Sequence, residues 1–225
     1  MNEAQSARPI RGVLFDLDGT LLDTLEDIGS ALNYVLAARR WPVHPLSDYR
    51  QFVGDGVRML VERAMPHAFR QEGIIEEVLR EYGGEYARRW NAVTRPYPGI
   101  PPLLGALTAA GIPLSILSNK PHDLTVRCAR HFFPETPFVD VRGQREADPR
   151  KPDPSVALEM ARHMGQPADR IAMVGDSGVD MQTARAAGMK PIGVLWGFRG
   201  ELELMGHGAE TVVASPEDLR HVLLD

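Results

Sequence analysis

The hydrophobic pattern opens with a short block. Val13, Leu14 and Phe15 are consecutive apolar residues, the pattern of a strand buried on both faces. The block stops at Asp16, and Leu17-Asp18-Gly19-Thr20 follows. From Leu25 the period changes. Leu25, Ile28, Leu32, Val35 and Leu36 recur at helical spacing, with Glu26 and Asp27 near the amino end, where the helix dipole favours acids. Trp41-Pro42 stops that helix. Further helices start near Ser47, cover about 57–65 and run over about 74–90. Residues 21 to about 95 read as helical, with no strand signal.

At Tyr97-Pro98-Gly99 an alternation of helix and strand begins. A helix over 100–110 ends at Gly111, placed as a C′ glycine. A strand over 113–117 ends in Ser118-Asn119-Lys120, and a helix follows to about 133. A strand over 138–141, a polar loop over 144–154 and a helix over 155–164 come next. The strand 171–174 ends in Gly175-Asp176-Ser177 and enters a helix capped by Gly188. A strand over 192–195 ends in Trp196-Gly197; a short strand over 211–214 and a last helix close the chain. Alternation of this kind implies an α/β fold with a doubly wound, mostly parallel sheet of the Rossmann-like type. The helical block interrupts it after the first strand. The expected domains are an α/β core, 1–20 plus 96–225, and a helical domain, 21–95. A substrate belongs between them, at the carboxyl edge of the strands.

Composition narrows the function. The chain has 225 residues, 44% hydrophobic and 24% charged, with a net charge of −5. That balance lacks the basic footprint of nucleic-acid binding, yet leaves room for a locally positive site that takes an anion. The single cysteine, Cys128, forms no intrachain disulfide and sits in an apolar helical pattern, as a buried structural thiol would. The segment 1–11 is polar and does not resemble a signal peptide, and no apolar run approaches a membrane span. A cytoplasmic protein is expected.

The strand ends carry the candidate chemistry. Asp16 and Asp18 are alternate residues, so in an extended chain both carboxylates face one centre. A solvated turn would also use Asp-Leu-Asp-Gly. Ser118 offers a hydroxyl where backbone N–H groups would open a helix, and is equally a helix cap. Lys151 stands in Arg-Lys-Pro-Asp-Pro, where two prolines stiffen the chain; it reads also as a surface lysine, and Arg150 competes for its role. Asp176 and Asp180, four apart, share a helix face if the helix has begun, though a plain N-cap fits the same residues. Acids clustered at one edge call for a cation. An oxygen-only donor set, with no Cys/His spacing, suits Mg²⁺ better than Zn²⁺.

Phe-Asp-Leu-Asp-Gly-Thr-Leu-Leu-Asp-Thr, then Ser118, Lys151 and Gly-Asp-Ser-Gly-Val-Asp, resemble in order the four motifs of the haloacid dehalogenase superfamily. The resemblance covers nearly the whole chain, and the helical block stands where that family has its cap. It implies a Mg²⁺-dependent phosphatase acting on a small phosphorylated metabolite, as a monomer or homodimer. By resemblance Asp16 is the nucleophile that forms an aspartyl-phosphate. Asp18 is the acid and base, so it must carry a proton when substrate binds. Ser118, Asn119 and Lys151 hold the phosphate, with Gly19 and Thr20 beside them. Asp16, the Asp18 carbonyl and Asp176 hold the metal, and Asp180 joins them directly or through water. Asp18 favours esters of phosphate, because the family's dehalogenases lack this carboxylate.

Phe-Val-Gly-Asp-Gly-Val-Arg at 52–58, Ser-Asn-Lys-Pro at 118–121, Lys-Pro-Asp-Pro at 151–154 and Leu-Trp-Gly-Phe-Arg-Gly at 195–200 resemble the phosphoglycolate phosphatase group. The Gly54-Asp55-Gly56 turn with Arg58 reads either as a loop that meets the substrate's tail or as a simple helix–helix turn. Arg58 or Lys120 would favour a carboxylate on that tail, and Asp55 would oppose one. His122 is a further residue able to approach the site. The alternative enzyme is a phosphomutase of the β-phosphoglucomutase kind, whose relatives tend to carry Glu-Asp where this chain has Gly175-Asp176. A non-catalytic binding protein would show degraded motifs, and none is degraded.

Overall fold

The computed structural model describes residues 9–225. Residues 1–8, most of the segment read as lacking a signal peptide, lie outside the described residues. In chain order the elements are β1 (Gly12–Phe15), β2 (Leu22–Asp23), α1 (Leu25–Ala38), α2 (Leu46–Phe52), α3 (Val57–Ala64), α4 (Glu72–Arg89), β3 (Arg95–Pro96), α5 (Ile100–Ala109) and β4 (Leu114–Pro121). They continue with α6 (His122–Phe132), β5 (Asp140–Gln144), α7 (Ser155–His163), β6 (Ile171–Gly175), α8 (Gly178–Ala186), β7 (Lys190–Val194), α9 (Glu201–Gly206), β8 (Thr211–Val213) and α10 (Pro216–Leu224).

Six strands form one sheet in the order β5-β4-β1-β6-β7-β8, and every pairing in it is parallel. β1 is central, which is why its apolar run shows no alternation. Val13 and Phe15 pack into the cluster that holds Leu103, Leu107, Cys128 and Leu219. Leu14 points the other way, to Met160, Met173 and Ala184. One strand therefore joins two cores, on the two faces of a doubly wound sheet. Among the described residues no helix is long and apolar enough to cross a membrane.

Helices α1 to α4 pack on one another in a block between β1 and α5. The chain enters and leaves this block through the antiparallel pair β2 and β3, with Leu22 opposite Pro96 and Asp23 opposite Arg95. Beside it the buried Asp27 carboxylate accepts from the backbone N–H groups of Val93 and Thr94 and from the Thr94 hydroxyl. Segment 21–95 thus contains a short strand that the sequence pattern does not announce: two residues carry too little periodicity, and their partner is far away in the chain.

Two other boundaries differ. β4 runs on to Pro121, past the predicted end at 117, because Pro121 pairs with Gln144 after an irregularity in the ladder. Ser118 consequently sits in a strand and not at a helix amino end, and α6 opens only at His122. The predicted strand 138–141 lies at Asp140–Gln144, shifted by its pairing with β4.

Candidate active site

The carboxyl ends of β1, β4 and β6 meet at one place, and the chemistry-bearing side chains gather there. Asp16 follows β1 directly, and its N–H donates to the carbonyl of Val174 on β6 at 2.9 Å. Asp176 follows β6. Asp180 lies in the first turn of α8. Oxygens of Asp16, Asp176 and Asp180 all fall within 4.8 Å of one another, and all three residues are buried.

Lys151 is the counter-charge. Its side chain is 4% exposed, and Nζ donates to Asp16 Oδ1 and to Asp180 Oδ1, each at 2.7 Å, and to the carbonyl of Leu117 at 3.0 Å. The surface-lysine reading is thereby excluded, and Arg150, the competing cation, is exposed. Burial alone would lower the Lys151 pKa, but Asp16 and Asp180 override it and hold the ammonium charged. One lysine does not balance three carboxylates. Burial pushes the Asp16 carboxyl up to about 7 against the pull of Lys151, with Asp180 adding to the rise. Asp176 is raised well above the usual carboxylate range by burial and then by Asp16 and Asp180.

This donor set fits a hard divalent cation: oxygens only, close together, and short of positive charge. The supports of Asp176 aim it. Its Oδ2 accepts from the N–H of Phe198 at 2.7 Å, and Oδ1 accepts from the Thr20 hydroxyl at 3.4 Å. Gly19, at φ +90°, lies against the same carboxylate, and a Cβ there would overlap it. Gly19 and Thr20, which the motif resemblance places beside the phosphate, therefore buttress Asp176. Asp180 serves two purposes. Its Oδ2 accepts from the N–H of Ser177 at 3.2 Å and from the Ser177 hydroxyl at 2.6 Å, closing a capping box on α8, while Oδ1 takes Lys151.

The β4 residues divide their work. Ser118 is 4% exposed, and its Oγ lies 3.3 Å from the N–H of Lys120. The Asn119 side chain is a clamp: Oδ1 accepts from the N–H of Lys151 at 3.1 Å, and Nδ2 donates to the carbonyls of Lys151 at 3.2 Å and Gly54 at 3.0 Å. It fixes the lysine loop, which leaves the side-chain amide committed to protein partners. Lys120 is buried, and its Nζ reaches the two Asp18 oxygens at 3.0 and 3.1 Å and the Tyr86 hydroxyl at 2.7 Å. Burial opposes this charge, and the Asp18 carboxylate overrides it and raises the Lys120 pKa.

A pocket opens above these groups. Its floor holds Asp16, Asp18, Ser118 and Lys151, and Val53, Val57, Leu60 and Tyr86 from the helical block wall it. The block is fastened to the core around this pocket. Arg50 Nη1 donates to the carbonyl of Gly197 at 3.1 Å, and Arg199 Nη2 donates to the carbonyl of Val53 at 2.8 Å.

Arg58 needs a correction. Its guanidinium faces α4, held by Glu72 at 3.0 Å, by Glu62 at 3.5 Å and by Glu76, and it does not line the pocket. It sits on α3 (Val57–Ala64), on the face turned toward α4. Asp55 likewise is taken by Arg63. His122 accepts from the N–H of Gly143 and contacts Arg145, away from the acidic cluster. Lys120 and Arg199 are the pocket cations to which the motifs assign no defined role. Lys120, two residues past Ser118, is the one that the sequence names, with Arg58, as a cation for a substrate carboxylate.

The match with known proteins agrees with this geometry. The family model of haloacid dehalogenase-like hydrolases matches residues 13–194. The chain belongs to that family, and it is an enzyme, a hydrolase. A phosphoglycolate phosphatase of Mesorhizobium japonicum is 35% identical over 196 residues, covering 85% of each chain. The phosphoglycolate phosphatase of Aquifex aeolicus is 30% identical over 93% of this chain and 95% of its own. Among solved structures, a protein of Lactobacillus delbrueckii subsp. bulgaricus provisionally named a phosphoglycolate phosphatase superposes with a TM-score of 0.90 at 31% identity, covering 96% of this chain and 99% of that one.

Proposed function

We propose that this protein is a Mg²⁺-dependent phosphatase that hydrolyses a small phosphate monoester, with 2-phosphoglycolate as the leading candidate, through an aspartyl-phosphate on Asp16. The observation that carries the reading is the buried set Asp16, Asp176 and Asp180 around Lys151, with Asp18 beside it in the same pocket. The phosphatase class also has the support of the family and of the relatives named above.

Asp16 and Asp176, with the Asp18 carbonyl, would hold Mg²⁺. Asp180 would join them directly or through water, while its oxygens also hold Lys151 and Ser177. Bound there, the cation neutralises charge on the acidic cluster and on the transferring phosphoryl group. Lys151 and Ser118 orient that group. The Asp16 oxygen attacks phosphorus, the ester P–O bond breaks, and Asp18 gives its proton to the leaving oxygen. Asp18 then takes a proton from water as the water attacks the aspartyl-phosphate. Phosphate leaves and Asp16 is restored. The closed helical block would keep bulk water out during the first half.

Position 175 favours hydrolysis over the phosphomutase alternative. A Cβ on Gly175 would overlap the Asp180 side chain, so a Glu-Asp pair does not fit here without moving Asp180. The buried thiol of Cys128, pushed up to about 11 by burial, is consistent with a structural residue in a cytoplasmic enzyme. The covalent step is tested with Asp18→Asn and p-nitrophenyl phosphate, whose leaving group departs without a proton. Acid-quenched protein should carry one phosphoryl group on the peptide containing Asp16. A phosphoryl group elsewhere, or none in a turning-over enzyme, contradicts the reading.

A further inference from the structure

We infer that Lys120 is the specificity-determining residue for the part of the substrate beyond the phosphate, and that it selects esters whose leaving group carries a carboxylate next to the ester oxygen. The inference rests on the phosphatase reading above and names the substrate class of that same site.

Position decides the role. Asp18 must touch the leaving oxygen to protonate it. The Lys120 ammonium lies 3.0 and 3.1 Å from the Asp18 oxygens, so it stands one hydrogen bond beyond the group that meets the ester. In the phosphate ester of a 2-hydroxy acid, one carbon separates the carboxylate from the ester oxygen. A substrate of that length puts its carboxylate where Lys120 is. The pocket is also lined by Leu60, Leu124 and Tyr82, which offer no charge to an anion.

Among the described pocket cations, Lys120 is the one that contacts Asp18, the group that meets the ester oxygen. Lys151 is taken by Asp16 and Asp180. Arg199 pairs with Glu203 through Nε at 3.2 Å and holds Val53, although its buried Nη1 has no partner. Arg58, the cap residue that the sequence suggests, faces α4. The ammonium of Lys120 has three donors. Two reach a single carboxylate and one reaches Tyr86, so a substrate carboxylate can replace one Asp18 contact while Tyr86 still anchors Nζ. Nζ also lies 4.7 Å from the centre of the Tyr86 ring. Tyr86 belongs to α4, in the helical block, and Lys120 to the core. Recognition of the tail and closure of the block thus meet at one atom.

The test compares kcat/KM for 2-phosphoglycolate with that for 2-hydroxyethyl phosphate, which has a neutral tail of similar length. Wild type should prefer the carboxylate ester. Lys120→Met should cut that preference about 10- to 100-fold, the value of one charge-assisted hydrogen bond. Lys120→Arg should keep a larger share of it, and Arg199→Met should leave the ratio standing. Thermal melts check that each variant folds, and because the ratio is taken within one protein, partial misfolding cancels. A residue that merely steadies Asp18 would slow both esters alike; an unchanged ratio in Lys120→Met therefore overturns the inference. So does a wild type that favours neither ester, or a collapse of the ratio in Arg199→Met alone, and in both cases the phosphatase reading stands. A wild type that hydrolyses no ester removes that reading, and the inference falls with it.

Discussion

At the scale of single residues, the site is a problem of uncompensated charge. Three carboxylates and one lysine share a buried space at the sheet edge. Leaving buried charges without partners costs several kcal/mol. Lys151→Met should therefore lower the stability of the metal-free protein by about 3 kcal/mol, an outcome readable in urea unfolding with EDTA present. Loss within a few tenths of a kcal/mol would show that the lysine is not the counter-charge. The same imbalance links metal to pH. Burial holds the Asp16 carboxyl up to about 7, so below that pH a bound cation must displace a proton. Mg²⁺ binding should tighten as pH rises through about 7, and calorimetry in buffers of different ionisation enthalpy should show proton release on the acid side. Affinity that stays flat across that range would contradict this.

At the scale of elements, β1, β4 and β6 each deliver one part of the machinery at their carboxyl ends, and the loop after β7 finishes it. Gly197 packs against Asp176 and the Gly19 carbonyl so closely that a Cβ would overlap both. Gly197→Ala should push Asp176 off its aim and weaken Mg²⁺ binding about 10- to 100-fold, the usual effect of disturbing the support of a ligand. A fluorescence or activity titration with Mg²⁺ measures it, and unchanged affinity would mean that Asp176 is not held by this contact. Much of this architecture is legible in the chain. Val13 to Phe15 announces a central strand, since only a strand covered on both faces is apolar at every position. The acids after β1 and β6 stand out because packing gives no reason for them. What the pattern hides is long-range. The β2 and β3 pair is too short to have a period, and β4 outlasts its apolar stretch because its partner Gln144 lies elsewhere in the chain. Arg58 looks like a reader of substrate because a cation beside a glycine turn is ambiguous until the glutamates of α4 are placed around it. Lys120 is visible as a residue, but its meaning depends on Asp18 and Tyr86 arriving from two other elements.

At the scale of the whole molecule, the helical block and the α/β core each supply half of a pocket. The core brings the acids and Lys151, and the block brings apolar walls and Tyr86. Arg50, Asn119 and Arg199 tie the two together through backbone carbonyls at the rim of the pocket that holds the reacting groups. The family places a hydrolase on this architecture, and the buried acids around Lys151 support a metal-dependent phosphatase with Asp16 as nucleophile. The most direct test is phosphate release from 2-phosphoglycolate and a panel of sugar phosphates, with Mg²⁺ or with EDTA, for wild type and Asp16→Asn. A metal-dependent Asp16 nucleophile predicts release from 2-phosphoglycolate that EDTA abolishes, that added Mg²⁺ restores, and that falls about 10⁴-fold or more in Asp16→Asn. Release that survives EDTA, or that persists in Asp16→Asn, would contradict it.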